Sequence, residues 1–181
     1  MATVTDSVEA VISEPISTRK PEFALLVREH QSMVFSIAVS FLRDPATAEE
    51  VAQDVFLELH RALAGLESPD HVIHWLRRVT AHRSIDAIRR KRPTLALVDV
   101  REPAAPAFQE DLLLNDKLRS LVANLPEQAR MAVILRYQED LGPEEIAEIL
   151  DIPVGTVKSR LQRALGLLRE KLERRLKVSH D

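Results

Sequence analysis

Residues 141–177 constrain the fold more than any other stretch, because two apolar helical patterns meet there at a short break. The break consists of Asp151, Ile152 and Pro153. On both sides of it, apolar residues recur at steps of three and four, the spacing of one helix face. These residues are Ile146, Ala147, Ile149 and Leu150 before the break, and Val157, Leu161, Ala164, Leu165, Leu168 and Leu172 after it. The stretch therefore predicts a short helix, a tight turn and a longer helix.

The face of the longer helix opposite its apolar stripe carries small, cationic and amide side chains, namely Gly155, Lys158, Ser159, Gln162 and Arg163. Lys and Arg reach phosphates or guanine edges, and Gln can pair with adenine. A recognition helix in the DNA major groove needs such a face. The pattern alone equally allows an amphipathic hairpin whose polar face meets water. The other segments of the chain are needed to distinguish the recognition helix from the solvent-exposed hairpin.

Composition favours helices throughout the chain and narrows the classes of function. The 181 residues include only 4 Gly and 4% aromatic residues, and Leu, Ile, Val and Ala dominate the apolar content. Cysteine is absent, which excludes disulfides, thiolate metal sites and a cysteine nucleophile. No apolar run reaches the length of a membrane span, and the N-terminus lacks a signal-peptide layout. We therefore expect an all-α, cytoplasmic protein without membrane insertion.

The formal net charge of −3 hides a strong segregation of charge. Residues 44–70 hold seven acids against Arg61 alone, and residues 77–92 hold seven basic residues against Asp86 alone. Residues 139–151 are acidic again, and residues 158–177 are basic again. Because charges act locally, within a Debye length of about 8–10 Å, each block counts by itself. The pattern indicates two basic surfaces for a polyanion and two acidic surfaces for another partner.

The order of patterns predicts two helical domains joined by a tether. Residues 1–20 have no sustained period and are expected to be a disordered extension, and helical patterning begins near Pro21. Asp44 is the expected cap of the next helix, with Pro45 at its first position. The predicted domains and segments are 1–20 (extension), 21–92 (first helical domain), 93–108 (Pro-rich extended linker) and 109–178 (second helical domain).

The helix expected at about residues 71–91 has a pattern that changes side along its length. Val72, Trp75, Leu76 and Val79 form one apolar stripe, whereas Ile85 and Ile88 fall on nearly the opposite side. Such a change predicts that the second half of the helix meets different neighbours or projects from its bundle. Trp75 is expected to be a core residue. Pro93 is expected to end this helix, because proline disfavours helical backbone in the residue before it.

Three blocks of the chain resemble sigma factors, the promoter-recognition subunits of bacterial RNA polymerase, and most of all the small two-domain extracytoplasmic-function group. The first block, D-P-A-T-A-E-E-V-A-Q-D-V-F-L-E-L from Asp44, resembles region 2.2. The second, W-L-R-R-V-T-A-H-R-S-I-D-A-I-R-R from Trp75, resembles regions 2.3 and 2.4. The third contains L-P-E-Q-A-R, E-E-I-A-E-I-L, I-P-V-G-T-V-K-S-R-L and R-A-L between Leu125 and Leu165. The resemblance implies an all-α fold, with a region 2 bundle and a region 4 helix-turn-helix domain.

The resemblance also implies a role for each charged surface, without any cofactor, metal site or catalytic residue. Residues implied in binding the β′ clamp helices of core RNA polymerase are Glu50, Gln53, Asp54 and Glu58. Those implied in recognising and melting the −10 element are Arg77, Arg78, His82, Arg83, Arg89 and Arg90. Those implied in reading the −35 element are Thr156, Lys158, Ser159, Arg160, Gln162 and Arg163. The implied partners are core RNA polymerase (β′ clamp helices and β flap), promoter DNA and an anti-sigma factor.

Five positions depart from the family pattern, and one of them is Val72, which replaces the usual aromatic residue before the tryptophan. His82 stands where the family usually has Asn in the −10 helix, which leaves base choice there open. Asp151 stands where the turn commonly has Gly, and Asp tolerates left-handed backbone better than most residues. Gly142 followed by Pro143 replaces the usual Ser or Thr cap, and Glu144 and Glu145 are expected to compensate. Gly166 inside the recognition helix costs about 1 kcal/mol relative to Ala.

Three rival interpretations stay open at this point. A metal-dependent enzyme could use His71, His74 and His82 with Asp70 and Glu67, but their spacing matches no H-E-x-x-H pattern. A stand-alone helix-turn-helix regulator would bind DNA without core polymerase, and its first domain would dimerise or sense a signal. A sigma-like protein could bind core polymerase without opening DNA, which the His82 departure allows.

Overall fold

The computed structural model describes residues 16–95 and 120–178, and the regular structure in these two ranges is helical. The expected all-α class is therefore confirmed. Six helices that lie wholly within these ranges are numbered α1 (Ile16–Leu42), α2 (Pro45–Ala62), α3 (Pro69–Leu95), α4 (Glu127–Tyr137), α5 (Pro143–Leu150) and α6 (Val154–Val178). A short 3-10 turn, Leu63–Gly65, follows α2, and residues 120–123 form the end of a helix before α4.

Two helices extend past prolines that were expected to mark their ends. Helix α1 begins at Ile16 rather than near Pro21, so residues 16–20 belong to a helix instead of a disordered extension. Helix α3 continues through Pro93 to Leu95, which shortens the predicted linker. A proline removes one backbone hydrogen bond, and near a helix end the hydrogen-bond ladder is already incomplete. Residues 1–15 and 96–119, with the rest of the predicted extension and linker, lie outside the described residues.

Helices α1, α2 and α3 pack into a bundle around the apolar stripes that their sequences predict. The buried residues of this first core are Val34, Ala38, Ala48, Val51, Val55, Leu59, Val72, Leu76 and Ala87. Trp75 is half-buried and packs against the edge of this core, so it contributes to the core without lying inside it. In the same ranges, none of the helices combines the length and the low charge content needed to cross a bilayer.

The start of α2 is tied to the end of α3 through Asp44. This residue occupies the N-cap position with Pro45 next to it, as predicted. Its Oδ2 accepts hydrogen bonds from the Thr47 hydroxyl and, at 2.8 Å, from Lys91 Nζ. The Lys91 ammonium, followed by the Thr47 hydroxyl, lowers the pKa of Asp44 from 3.8 to about 2. The carboxylate is thus stabilised in its charged form by folding.

We expect Asp44 to make stability depend on pH in acid. Because its pKa is lower in the folded chain, the stabilisation is present above about pH 4 and is lost as the pH falls toward about 2. Asp44 and Lys91 are about half exposed, so solvent screening keeps the effect below about 1 kcal/mol. Between pH 5 and 2, denaturant unfolding should show that the free energy of unfolding falls less in Asp44→Asn than in the wild type. If the free energy of unfolding falls equally with pH in the two proteins, Asp44 does not have this role.

Helix α3 changes neighbours halfway along its length, which confirms the prediction from its pattern. Val72 and Leu76 lie in the core of the first bundle. Ile85 and Ile88 instead pack against a second apolar cluster, whose members come largely from α4, α5 and α6. Helix α3 therefore contributes to two different cores, although Ala87 in its second half still belongs to the first.

The second apolar cluster joins the first bundle to helices α4, α5 and α6. The sequence did not predict this contact. Phe41 of α1 and Ala81 of α3 are fully buried in it together with Met131, Leu135 and Ile146. Helix α1 lies against α4, and α3 lies against α5. Apolar burial is the dominant favourable term in such packing. The helix-turn-helix unit is therefore docked on the first bundle in this structure.

The turn between α5 and α6 forms as the sequence predicts. Asp151 ends α5 with φ 52° and ψ 47°, the left-handed conformation expected where the family commonly has Gly. At the other end of α5, the Gly142 amide donates to Glu145 Oε2 at 2.7 Å, so an acid compensates for the missing cap side chain as expected. The helix-turn-helix geometry is thus stabilised by local contacts at both ends of α5.

The apolar stripe of α6 is only partly buried, which corrects one expectation. Val157 and Ala164 are fully buried, but Leu165 is 46% exposed and Leu172 is 51% exposed. Successive helix residues point about 100° apart, so burial of Ala164 places Leu165 at the edge of the contact. Helix α6 is also much longer than α4, on which it packs, so that Leu172 lies beyond the core.

Candidate nucleic-acid and polymerase interfaces

The exposed face of α6 presents three of the six residues predicted to read the −35 element. Lys158, Gln162 and Arg163 are exposed, and Lys158 Nζ lies 3.4 Å from Glu144 Oε1 at the start of α5. The pKa of Glu144 is lowered by its own backbone amide and then by Lys158. These three side chains can reach a ligand laid along α6 without any change in the backbone.

The other three predicted −35 residues are engaged within the domain. Thr156 and Ser159 are half-buried near the start of α6, where the Ser159 hydroxyl donates to the Thr156 carbonyl at 2.9 Å. Arg160 Nη2 donates to Gln128 Oε1 of α4 at 3.0 Å, and burial lowers the pKa of Arg160. Arg160 therefore braces α6 against α4 in this structure, and the exposed cations of this face are Lys158 and Arg163.

Three of the six predicted −10 residues contact the second domain. Arg77 Nε donates to Glu139 Oε2 at 3.1 Å, and Arg78 Nη2 donates to Asp151 Oδ2 at 2.8 Å. His82 Nε2 lies 2.9 Å from the carbonyl of Ile149. All three partners belong to the helix-turn-helix unit or to the segment just before it. Part of the α3 face expected to hold DNA is therefore engaged by the protein itself, whereas about half of the Arg78 side chain stays exposed.

Of the remaining −10 candidates, one is packed against the bundle and two face solvent. Arg83 is paired with Glu58 of α2 and is half-buried. Arg89 and Arg90 are exposed near the end of α3, where Arg89 Nη1 lies 3.6 Å from Asp86 Oδ1. This distal end of α3 is open to solvent, as is about half of the Arg78 side chain.

The acidic helix α2 presents most, but not all, of the predicted polymerase-binding residues. Glu50, Gln53 and Asp54 are exposed. Glu58 lies at the edge of this face, but its carboxylate turns toward α3 and pairs with Arg83. Leu57, which the sequence analysis did not single out, is 60% exposed instead. Leu57 lies three, four and seven residues from Asp54, Gln53 and Glu50, which places it on their face of the helix. The sequence alone contains this spacing.

The arrangement of histidines does not favour the metal-dependent rival. Within residues 16–95 and 120–178, no group of three His, Asp or Glu side chains comes together in a way that could hold a metal ion. His82, one of the candidate ligands, is bound instead to the Ile149 carbonyl. What this geometry offers is a set of exposed cationic and acidic helix faces.

Known proteins that resemble this chain have matching domains in the same order. The family models described as Sigma-70 region 2 and Sigma-70, region 4 match residues 26–94 and 115–168. The ECF RNA polymerase sigma-E factor of Escherichia coli K12 is 32% identical over 168 residues, which cover 83% of this chain and 86% of that protein. The ECF RNA polymerase sigma factor SigW of Bacillus subtilis 168 is 29% identical over 165 residues, covering 83% and 88%.

Two solved structures share the fold. One is the sigma factor RpoE in complex with the anti-sigma factor NepR from Bartonella quintana, with a TM-score of 0.71, 24% identity and coverage of 84% of this chain and 97% of that one. The other is CnrH in complex with the cytosolic domain of CnrY, with a TM-score of 0.61, 24% identity and coverage of 83% and 87%. The arrangement of helices seen here is thus an established one.

Proposed function

The chain belongs to the sigma-70 family of RNA polymerase sigma factors, in its extracytoplasmic-function group, and we propose how its surfaces divide the work of starting transcription. It binds core RNA polymerase and directs promoter-specific initiation. The observation that carries this function is a relative 32% identical over more than four-fifths of both chains, including both sigma regions. A stand-alone regulator is disfavoured because such a protein would need no region 2 domain.

The two domains take different tasks in this proposal. Residues 21–92 bind core polymerase and recognise and melt the −10 element, and residues 109–178 read the −35 element. The linker, which we place after Leu95, spans the distance between the two contacts. The polymerase supplies the chemistry, so this chain acts by recognition and strand opening rather than as an enzyme, in the cytoplasm. We also propose an anti-sigma factor as a partner, because the family includes members held by such proteins.

The −35 element is read by the exposed face of α6. Gln162 and Arg163 are exposed and can enter the major groove, as can Lys158 once it releases Glu144. In the groove, Arg can bind guanine with two hydrogen bonds and Gln can bind adenine. Thr156 and Ser159 lie at the start of α6, where backbone amides and hydroxyls suit phosphate contacts. Arg160 acts through its bond to Gln128, by fixing the angle at which α6 leaves the domain.

Arg163→Ala is expected to weaken −35 binding by about 1–3 kcal/mol and to relax the base preference at one position, because a bidentate base contact is lost. Selection from a promoter library with core polymerase would measure both effects. Arg169→Ala is a matched control, since Arg169 is another exposed arginine further along α6. The control should lower affinity without changing the preference. An unchanged preference for Arg163→Ala would contradict its assignment.

The −10 element is proposed to bind along α3. Arg77, Arg78, Arg83, Arg89 and Arg90 would contact phosphates, which favours strand opening by binding the separated strand. His82 would take the place of the usual Asn near the melted bases. Permanganate footprinting tests the melting: reactive thymines in the −10 region should form when core polymerase and this chain are both present. Their absence would favour the rival sigma-like protein that binds core polymerase without opening DNA.

The function as a whole is tested by run-off transcription with purified core polymerase on a random promoter pool. We expect promoter-specific transcripts with no other sigma factor present, and the enriched promoters should share both a −35 and a −10 element. Tight binding to duplex DNA by the chain alone, without any association with core polymerase, would instead identify a stand-alone regulator.

A further inference from the structure

We propose that Glu144 and Lys158 together read one G·C base pair of the −35 element, with Lys158 donating to the guanine and Glu144 accepting from the cytosine. The inference deepens the proposed function and rests on it, because it takes the exposed face of α6 as the −35 surface. It adds Glu144, a residue of α5, to a recognition surface otherwise assigned to α6 alone. Glu144 would thereby determine base specificity at one position.

The two side chains meet at the part of α6 that is best placed to contact bases. Lys158 Nζ lies 3.4 Å from Glu144 Oε1, and the two side chains are 61% and 67% exposed. Residues near the N-terminus of a recognition helix are the ones that contact base edges, and Lys158 lies one turn before Gln162 on the same face. A Cβ at Gly155, one turn earlier still, would meet no atom within 4 Å, so the space beside the pair is open. The carboxylate is thus adjacent to an ammonium group that can enter the groove.

The Glu144 carboxylate is charged and has acceptor positions to spare. Its pKa is lowered chiefly by its own backbone amide and further by Lys158. An ionised carboxylate offers about four lone-pair sites, so these contacts do not saturate it. The cap at the start of α5 is made by a different residue, because Glu145 Oε2 accepts the Gly142 amide at 2.7 Å. Glu144 is therefore available for a ligand.

A charged carboxylate beside DNA needs a hydrogen-bond donor, because the phosphates around it carry the same sign of charge. When the Lys158 ammonium leaves Glu144 to contact a base, the carboxylate loses its cation. The donors that the major groove offers in exchange are the amino groups of cytosine and adenine. Glu144 is therefore paired again only where such an amino group lies next to the acceptor that Lys158 contacts.

A G·C pair presents the two matching groups side by side. Guanine O6 accepts, cytosine N4 donates, and an N–H···O hydrogen bond within the pair holds these atoms about 2.9 Å apart. This spacing is close to the 3.4 Å between Lys158 Nζ and Glu144 Oε1, so both side chains can turn to one base pair with little movement. An A·T pair offers Lys158 only thymine O4, beside a methyl group, whereas guanine offers both O6 and N7. The two residues together therefore favour G·C.

Chemically altered bases test the two contacts separately. The full chain with core polymerase is titrated with a promoter duplex enriched from the random pool, in which each G·C pair of the −35 element is altered in turn. N4-methylcytosine still pairs with guanine but carries a methyl group in place of the N4–H that faces the major groove. 7-Deazaguanine lacks the N7 acceptor. At one position, each altered base should weaken binding of the wild type about fivefold, through the loss of one base contact.

Variants assign each contact to its side chain. At the same position, Glu144→Ala should bind the N4-methylcytosine duplex as tightly as the unaltered one and stay sensitive to 7-deazaguanine, and Lys158→Ala should show the reverse. Glu144→Gln keeps an oxygen acceptor and should stay sensitive to N4-methylcytosine. The matched control is Glu148→Ala, because Glu148 is another exposed acid one turn further along α5 and the change in net charge is the same. The control should respond to both altered bases as the wild type does.

Two results would overturn this assignment: a wild type that is insensitive to N4-methylcytosine at every −35 position, or equal sensitivity of Glu144→Ala and Glu148→Ala. The first result needs no variant, so the question is decided even if a variant does not fold. Circular dichroism and thermal unfolding verify folding, and a merely structural loss would weaken binding at all positions rather than abolish one sensitivity. Run-off transcription separates this outcome from the proposed function, because a chain that yields no promoter-specific transcripts would reject the function itself.

Discussion

The chain with Asp54→Lys and Leu57→Ala is expected to bind core RNA polymerase about 100-fold more weakly than the wild type, which corresponds to about 2.8 kcal/mol. Leu57 is 60% exposed amid the exposed acidic and amide side chains of α2. An apolar side chain surrounded by polar ones fits the centre of an interface, where truncation of one well-buried side chain costs 2 kcal/mol or more, as a rough guide. Reversing the charge of Asp54 adds repulsion toward a basic partner.

The matched control for this experiment is Leu25→Ala. Leu25 of α1 is 62% exposed, so it equals Leu57 in residue type, helical setting and exposure, but lies on another helix. Alanine forms helices as well as leucine does, so neither substitution should lower the stability of its helix. Titration of fluorescent chain with core polymerase gives the affinities. If Leu25→Ala weakens binding as much as Leu57→Ala, the effect is not specific to α2 and the assigned face is wrong.

Phe41→Ala is expected to lower the free energy of unfolding by about 3–5 kcal/mol, the usual cost of truncating a buried aromatic side chain. Phe41 is fully buried in the cluster that α1 and α3 share with α4, α5 and α6. Its loss also removes the ring under the Arg130 guanidinium. Because the cluster belongs to both domains, we expect the distance between spin labels at Gln31→Cys and Arg169→Cys, one exposed position in each domain, to lengthen as well. Urea unfolding and the distance measurement test these two consequences.

Leu59→Ala provides the comparison. Leu59 is also fully buried, but it lies in the core of the first bundle alone. Its truncation should cost about 2–5 kcal/mol and leave the short interdomain distance in place. If Phe41→Ala is equally destabilising but leaves the distance unchanged, Phe41 supports only its own domain and the shared cluster does not hold the domains together.

The face of α2 illustrates how far sequence reasoning can go. The spacing of Glu50, Gln53 and Asp54 correctly placed them on one exposed surface. The same spacing could have identified Leu57, which was overlooked because a leucine in an amphipathic helix is normally expected to be buried. No helical spacing could show that Glu58 turns toward Arg83, since that pair joins residues 25 positions apart in two different helices.

Local pattern determined the elements of this protein. The period of apolar residues predicted the bundle helices and the change of side along α3, and the composition predicted an all-α fold. The left-handed turn at Asp151 and the contribution of Glu145 to the start of α5 also followed from residues a few positions apart. All of these depend on backbone geometry and nearest neighbours, which a short window of sequence contains.

Tertiary structure alone decided where the domains lie and which charges are free. Arg77 and Glu139 are 62 positions apart, and Arg130 and the Phe41 carbonyl are 89 apart. A cation in the sequence can equally face water, DNA or a distant carboxylate, because its attraction depends on position in space. The sequence therefore determined that α3 carries a basic face and that residues 141–177 form a helix-turn-helix. Only the folded chain placed one against the other, since that contact depends on the shape and burial of a shared apolar core.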